Sequence, residues 1–277
     1  MGSVKDLTVR VPPTDTAPGV GIFHFSDRYS VFDWGEMPDH LPHKGEALAL
    51  LGAWMFEQLE ARGVRTHYRG MRVGERLLRL EALTAPSADM EVTLVRVIPP
   101  RRTEHGYDYS TLPADHRNLL VPLEIIYRYR LPEGSSVFRR LERGELTPDN
   151  LGLDHPPRPG EALDPPFLDC STKLEVTDRY LSWDEARRTM GLSAREVEAM
   201  QSLLVEVASL ITEAVEPHGM ENLDGKIELA WDADGALMVV DVVGTPDECR
   251  FAYRTPSGSV PLSKEVLRMY YRTTAWY

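Results

Sequence analysis

A chain of 277 residues with 42% hydrophobic and 27% charged residues is long enough for one large or two modest folded domains with ample core, and its composition excludes a disordered class. No run approaches the ~20 apolar residues of a membrane span. A formal net charge of −12 argues against a general binder of nucleic acid or anionic membrane, while leaving room for a local basic pocket that holds a small anion. Cys170 and Cys249 are the only cysteines and lack a CxxC spacing, so neither a disulfide framework nor a structural zinc site is expected, and a reducing cytoplasm fits.

From the N-terminus, Met1-Gly2-Ser3-Val4-Lys5-Asp6 lacks the apolar core of a secretory signal. Gly2, Ser3 and Lys5 suit a loop whose backbone N–H groups approach phosphates, with a frayed terminus as the plainer alternative. Gly21-Ile22-Phe23-His24-Phe25 reads as a strand, followed by a polar turn in which Asp27 and Asp33 could contact a ribose or an amine. His40 and His43 precede Lys44-Gly45 without the further ligands a metal needs, which makes them surface or packing residues. Leu48, Leu51, Met55, Phe56 and Leu59 recur at helical spacing, predicting an amphipathic helix over residues 46–62 that ends at Gly63. Residues 64–68 begin another extended segment, and residues 90–97 alternate as a half-buried strand does.

Residues 119–130 form an apolar run with charges at its end, as in a buried strand. Alternation puts Arg128 and Arg130 on one face, where guanidinium forks could grip phosphate or carboxylate beside the small turn Gly134-Ser135-Ser136; a solvent-facing arginine pair is the alternative. Residues 144–166 are rich in Pro, Gly and acidic groups and predict a long surface connection. Ser171-Thr172-Lys173, with Glu175 and Asp178 behind it, is a cluster of lysine, hydroxyls and carboxylates, although hydroxyl residues often simply close turns. Ser193-Ala194-Arg195-Glu196 has the form of a capping box, and Val197, Met200, Leu204, Val207 and Ile211 mark a long amphipathic helix up to Pro217. A terminal helix is expected over residues 264–272.

Asp224-Gly225-Lys226-Ile227-Glu228 and Val239-Val240-Asp241 flank Trp231-Asp232-Ala233-Asp234-Gly235, predicting a β-hairpin. It sets Lys226 and Glu228 on one face of the first strand, with Asp241 available from the returning one. Carboxylates beside an ammonium suit a magnesium-bound polyphosphate, because Mg²⁺ prefers one or two carboxylates plus substrate oxygens; a solvated, charge-laced hairpin face is the other reading. Of 31 basic residues only five are lysines, namely Lys5, Lys44, Lys173, Lys226 and Lys264. In a chain that writes its positive charge in arginine, a lysine has a particular use as a compact ammonium for phosphate or carboxylate.

Taken in order, Gly2-Ser3-Val4-Lys5, Ser26-Asp27-Arg28 to Asp33, Lys44-Gly45, Thr66-His67, Pro122-Leu123-Glu124 to Arg128, Gly134-Ser135, Ser171-Thr172-Lys173, Asp224-Gly225-Lys226-Ile227-Glu228, and Asp241 to Thr245-Pro246-Asp247 and Arg250 resemble the SAICAR synthetase (phosphoribosylaminoimidazole-succinocarboxamide synthase) family. The resemblance runs through nearly the whole chain. It implies an α+β fold of two lobes with a nucleotide cleft between them, residues 1–120 forming a β-rich lobe and residues 121–277 an α+β lobe that carries the metal and substrate sites. It also implies an ATP-dependent ligase of purine biosynthesis that joins L-aspartate to carboxyaminoimidazole ribonucleotide (CAIR) with Mg²⁺, without nucleic-acid or membrane partners and with a homo-oligomer left open. By that resemblance Gly2, Ser3, Lys5, Leu120, Val121 and Glu124 hold ATP, Glu228 and Asp241 bind magnesium, Asp33, Lys44, Arg128, Ser135 and Arg250 hold the ribonucleotide, and Lys173, Asp224 and Lys226 face the reacting groups. A related amide ligase of a specialised nucleoside pathway and a non-catalytic nucleotide-binding regulator are the alternatives. The chain departs from the family pattern at Val242, where an acidic residue is usual, at Glu248-Cys249, where a small hydroxyl pair is usual, and in a phosphate loop that begins at Gly2 without a preceding strand.

Overall fold

The computed structural model describes residues 4–30, 36–256 and 258–275, with the side chains of residues 265 and 268 left aside. Gly2, Ser3 and Asp33, expected to contact ATP and ribonucleotide, lie outside the described residues.

The first lobe is built on a five-stranded sheet, β1 (Lys5–Val11), β2 (Gly19–Phe25), β3 (Tyr68–Val73), β4 (Arg76–Leu78) and β5 (Asp89–Leu94), in the order β1-β2-β5-β3-β4. Lys5, the last residue of the stretch for which a frayed terminus was one alternative, opens β1 and pairs with Phe25 of β2. β5 stops at Leu94, short of the 90–97 expected, and its polar Glu91 is buried because Arg69 and Arg72 both pair with it. α1 (Lys44–Ala61) covers this sheet and ends where Gly63, at φ 83°, turns the chain, as the pattern predicts.

Gly45 opens α1 because a Cβ there would lie 2.6 Å from the carbonyl oxygen of Phe25. Asp27 accepts from the backbone N–H of Gly45 at 2.9 Å and of His43 at 3.1 Å. Its carboxylate therefore caps the helix rather than facing a ribose, and the N–H of Gly45 holds its pKa below the usual carboxylate range.

A small hairpin, β6 (Arg101–Thr103) and β7 (Gly106–Asp108), precedes the second, seven-stranded sheet. Its strands are β8 (Leu119–Leu131), β9 (Glu161–Thr172), β10 (Tyr180–Leu181), β11 (Met220–Trp231), β12 (Leu237–Val240), β13 (Cys249–Thr255) and β14 (Gly258–Pro261), in the order β10-β9-β8-β11-β13-β14 with β12 also on β11. The connection expected over 144–166 is shorter, since Glu161–Thr172 continues as β9 and pairs with β8. Two short helices, α2 (Ser136–Glu142) and α3 (Trp183–Met190), were not anticipated.

α4 (Ala194–Val215) begins with the capping box read from Ser193 and Glu196, and it buries Met200, Leu204, Val207 and Ile211 against β8 and β11. Each such side chain removed from water stabilises the fold by about 1.5–3 kcal/mol. α5 (Glu265–Arg272) follows Lys264.

The register of β11 is what makes a site. One edge pairs with β8 from Asp224↔Arg128 to Trp231↔Leu119. The other edge is shared, its first half pairing with β13 and its second half, from Glu228↔Val240, with β12. Residues 241–248 must therefore leave the sheet beside the middle of β11, where Lys226 N–H donates to Glu248 O at 3.2 Å. Asp241, at φ 65°, and Gly244, at φ 68°, make this departure. The lobes join at the same place, since Val239 bridges Thr66, and His67 N–H donates to Val239 O at 3.0 Å.

Candidate active site

All five lysines of the chain converge on the 241–248 segment, the middle of β8 and β11 and the end of β9. Lys5 Nζ lies 2.9 Å from Asp241 Oδ1, Lys173 pairs with Glu228, Lys226 lies 2.6 Å from Glu124 Oε1 and 3.5 Å from Glu248 Oε2, and Lys44 lies 3.0 Å from Asp247 Oδ2. Lys264 donates to the backbone oxygen of Asp247 at 2.7 Å. It was the one lysine that no sequence motif claimed, and the only clue to it was the scarcity of its residue type.

The electrostatics follow from packing carboxylates and ammonium groups out of water. Burial, reinforced by the Asp241 carboxylate, pushes the Glu228 pKa up to about 7 against the opposing Lys173. Burial also works against the charge on Lys173 and Lys226, but Glu228 in the first case, and Glu248 with Glu124 in the second, raise both pKa values and keep the ammonium groups charged. At Asp241 burial opposes the charge and Lys5 overcomes it, so the pKa falls. Burial raises Glu248, and Asp178 likewise.

Next to this cluster is a second one of arginines. Arg250 grips Asp224 through two bonds, with Nε 2.7 Å from Oδ1, and Arg128 Nη1 donates to the same carboxylate at 3.4 Å. Arg128 also reaches Asp169 Oδ2 at 3.3 Å and Ser136 Oγ at 3.3 Å, and Arg140 donates to Asp169 at 2.6 Å. Both Arg128 Nε and Arg140 Nε are buried without an acceptor. Arg128 and Arg250, with Tyr180, Asp224, Lys226 and Lys264, line a cleft of about 190 Å³. Arg130 instead pairs with Glu221, outside that cleft. Of the two serines after Gly134, Ser135 is buried and caps α2 by accepting from Val137 N–H at 3.4 Å, while Ser136 is the one in contact with Arg128.

Leu120 packs with Ala230, Met238 and Val240 in a small apolar cluster apart from the main core, flanked by Val95 and Leu174. Val121 is fully buried in the main core. Leu7 and Val9 are about half exposed on the same face of β1 as Lys5.

The departures from the family pattern have concrete places. Val242 is buried, and a Cβ added to Gly52 of α1 would lie 3.3 Å from its Cγ1, so the side chain packs on the helix and leaves the charge cluster alone. Glu248 turns toward Lys226 rather than opposing Arg250. Cys249 Sγ accepts from Tyr127 O–H at 3.4 Å, and Gly225 is required beneath them, since a Cβ would lie 2.5 Å from Tyr127 Oη and 2.7 Å from Cys249 Sγ. Gly225→Ala is expected to destabilise by about 1–3 kcal/mol, the usual cost of overpacking a buried site. Thermal unfolding reads this, and an unchanged melting temperature would show that β11 and β13 part without cost.

The donor set suits Mg²⁺. Glu228 and Asp241 offer hard oxygens in a buried pocket, and among the described residues no three His, Cys, Asp or Glu side chains form a self-contained metal cage. A magnesium ion here would draw its remaining ligands from water and polyphosphate oxygens, its ordinary habit.

Comparison with known proteins agrees with this architecture. The family model described as SAICAR synthetase matches residues 13–276. A protein of Archaeoglobus fulgidus, named provisionally as a phosphoribosylaminoimidazole-succinocarboxamide synthase, is 50% identical over 277 residues, covering 100% of this chain and 81% of its own. The phosphoribosylaminoimidazole-succinocarboxamide synthase of Thermoplasma acidophilum is 31% identical over 259 residues, covering 92% of this chain and 79% of its own. The SAICAR synthase of Saccharomyces cerevisiae, solved with SAICAR, superposes with a TM-score of 0.69 at 22% identity, covering 100% of this chain and 84% of that one. With its α+β, two-lobed fold and its lysine-carboxylate cluster at the junction of the lobes, the chain belongs to the SAICAR synthetase family of purine-biosynthetic ligases.

Proposed function

We propose that the chain joins L-aspartate to CAIR at the expense of ATP, through an acyl phosphate, in the cytoplasm. The observation that carries this reading is the convergence of all five lysines on the middle of β8 and β11 and the 241–248 loop, each facing carboxylate or carbonyl oxygens that a polyanion could replace. A carboxylate is a poor electrophile until one of its oxygens becomes a leaving group. The CAIR carboxylate oxygen attacks the γ-phosphorus as the bond to ADP breaks, and the aspartate amine then attacks the acyl carbon as phosphate leaves.

The two lobes divide this work. Leu120, Ala230, Met238 and Val240, flanked by Val95 and Leu174, offer an apolar surface for the adenine. Lys5, at the start of β1, meets the phosphates, with Glu124 on the nucleotide side. Lys173 and Lys226 neutralise the transferring phosphoryl group, which is the dominant contribution in such transition states. Asp224 orients the two arginines, and Arg128 and Arg250 release it to grip the ribonucleotide phosphate beside the start of α2 that Ser135 caps, while Lys44 and, by the family resemblance, Asp33 contact the rest of the ribonucleotide. Lys264, over Asp247, is placed to meet the aspartate carboxylates. Magnesium held by Glu228 and Asp241 would supply further charge neutralisation on the polyphosphate. Neither cysteine is suited to covalent catalysis, because burial pushes both thiols up to about 12.

Purified protein given ATP, Mg²⁺, aspartate and CAIR is expected to release ADP and form the succinocarboxamide, with release dependent on every component. Absence of product with all four present would overturn the reading, and faster turnover of another azole carboxylate would move the acceptor to a related nucleoside.

The arginine pair has its own test. Arg250→Ala is expected to raise KM for the ribonucleotide at least about tenfold while KM for ATP stays within about twofold, since a bidentate guanidinium contact to phosphate is lost at one substrate only. Glu248→Ser leaves the ribonucleotide KM unchanged or lowers it, because Glu248 draws on Lys226 rather than on Arg250. Equal losses for both substrates in Arg250→Ala would place that side chain elsewhere.

A further inference from the structure

Residues 97–117 are an excursion that begins and ends at one point. Arg96 N–H donates to Asn118 O at 3.0 Å and Leu120 N–H donates to Arg96 O at 2.8 Å, so the chain departs from and returns to the start of β8. Its base is fixed on three sides. Asn118 Nδ2 donates to Thr14 O and Ala17 O, both at 2.8 Å, Asn118 N–H donates to Asp232 O at 2.8 Å, and the His116 ring stacks on Trp231 with centroids 4.2 Å apart.

The far end lies on residues 173–178. That loop is closed at its neck, where Thr172 N–H donates to Arg179 O at 2.9 Å and Arg179 N–H donates to Thr172 Oγ1 at 3.1 Å. At its apex Val176 N–H donates to Tyr107 Oη at 3.0 Å. Beside it the buried Tyr109 donates to Glu175 Oε1 at 2.8 Å, and Arg179 Nη2 reaches the same oxygen at 3.1 Å. Glu175 is nearly inaccessible, with 3% of its side chain exposed, although Val176 next to it is 78% exposed. A carboxylate buried and satisfied by a tyrosine O–H and a guanidinium holds an otherwise exposed loop in one shape. The inner side of this loop carries Lys173, paired with Glu228, and Leu174, which flanks the apolar cluster around Leu120; Glu124, Lys226 and Lys173 act electrostatically on its Asp178.

We infer that the 97–117 excursion is a clamp for the active-site loop, in which Tyr107 and Tyr109 are positioning residues that hold residues 173–178 so that Lys173 stays on Glu228. The clamp touches no reacting atom, and its effect on turnover rests on the ligase reading above.

Tyr107→Phe with Tyr109→Phe removes two oxygens and keeps both rings. The double variant is expected to exchange the amides of residues 174–178 at least about tenfold faster than the wild type, while its melting temperature moves by less than about 3 °C. Its kcat falls about tenfold with KM for ATP and ribonucleotide within about twofold, because a misplaced ammonium costs the chemical step and not binding. Glu175→Gln, which keeps the acceptor for Tyr109, retains more turnover than Glu175→Ala. Unchanged exchange at 174–178 would overturn the clamp, as would acceleration that spreads through β8 and β9 with a lower melting temperature. A wild-type protein inactive on CAIR would sink the ligase reading alone, leaving the exchange measurement to decide the clamp.

Discussion

Lys226→Ala is expected to lower turnover at least about 100-fold, ~3 kcal/mol of transition-state stabilisation, while the protein stays folded. The ammonium stands 2.6 Å from Glu124 and 3.5 Å from Glu248, on a strand whose partners on both sides fix its height. Opposed by burial and held up by those two carboxylates, it stays positive across the whole working range of pH, which a group meeting a transferring phosphoryl must do. The stability cost is smaller than the catalytic one. With Lys226 gone, Glu248 loses one of the cations that favour its charged form, and burial, which already raises its pKa, then raises it further, which relieves part of the cost of an unpaired buried charge. Steady-state turnover and thermal unfolding on one preparation separate the two effects. A folded variant with wild-type turnover would remove Lys226 from the chemistry.

Local signals made much of the fold legible. The capping box at Ser193, the period of α4, the Gly63 stop after α1 and the hairpin about Asp234-Gly235 each depend on neighbours within a few residues, and each stands in the structure. What escaped depends on distant partners. Asp27 looked like a ligand contact because its motif is polar, yet it is spent on the start of α1, sixteen residues on. Glu91 is buried in a strand that should alternate, because two arginines from β3 come to it.

In the site, residue types carried the information more than spacing did. Five scarce lysines on scattered elements could be suspected of one purpose, but only the shared edge of β11 brings them together. Lys264 had no motif around it and was passed over, as were Asp169 and Arg140, whose roles lie in bonds to Arg128 and to each other. The departure at Val242 has a geometric place that the sequence does not show. At the residue after a left-handed turn the side chain swings out of the cluster and packs on α1, and nothing in the sequence reports that φ.

That same turn makes Asp241→Asn the sharpest test of the metal assignment. Asparagine has the size of aspartate and, like it, tolerates the left-handed region, so the backbone at φ 65° survives the change. The His67 contact survives too, because it is made to the Asp241 backbone oxygen, 3.1 Å from Nε2 of a ring that burial keeps neutral with a pKa near 4. Only the carboxylate charge is removed, and with it the partner of Lys5. The expected result is a fall in kcat/KM of about 10²–10³, accompanied by a rise of at least about tenfold in the Mg²⁺ concentration that half-saturates ADP release, since one of two anionic oxygens has become a weaker amide donor. Asp241→Ala should lose as much activity and also about 1 kcal/mol of stability, because alanine resists the left-handed conformation that asparagine accepts. The measurement is a Mg²⁺ titration at fixed ATP for the wild type and both variants, with thermal unfolding alongside. An asparagine variant that titrates with Mg²⁺ as the wild type does would show that Asp241 serves Lys5 and not the metal, and the second ligand beside Glu228 would then have to come from the substrate.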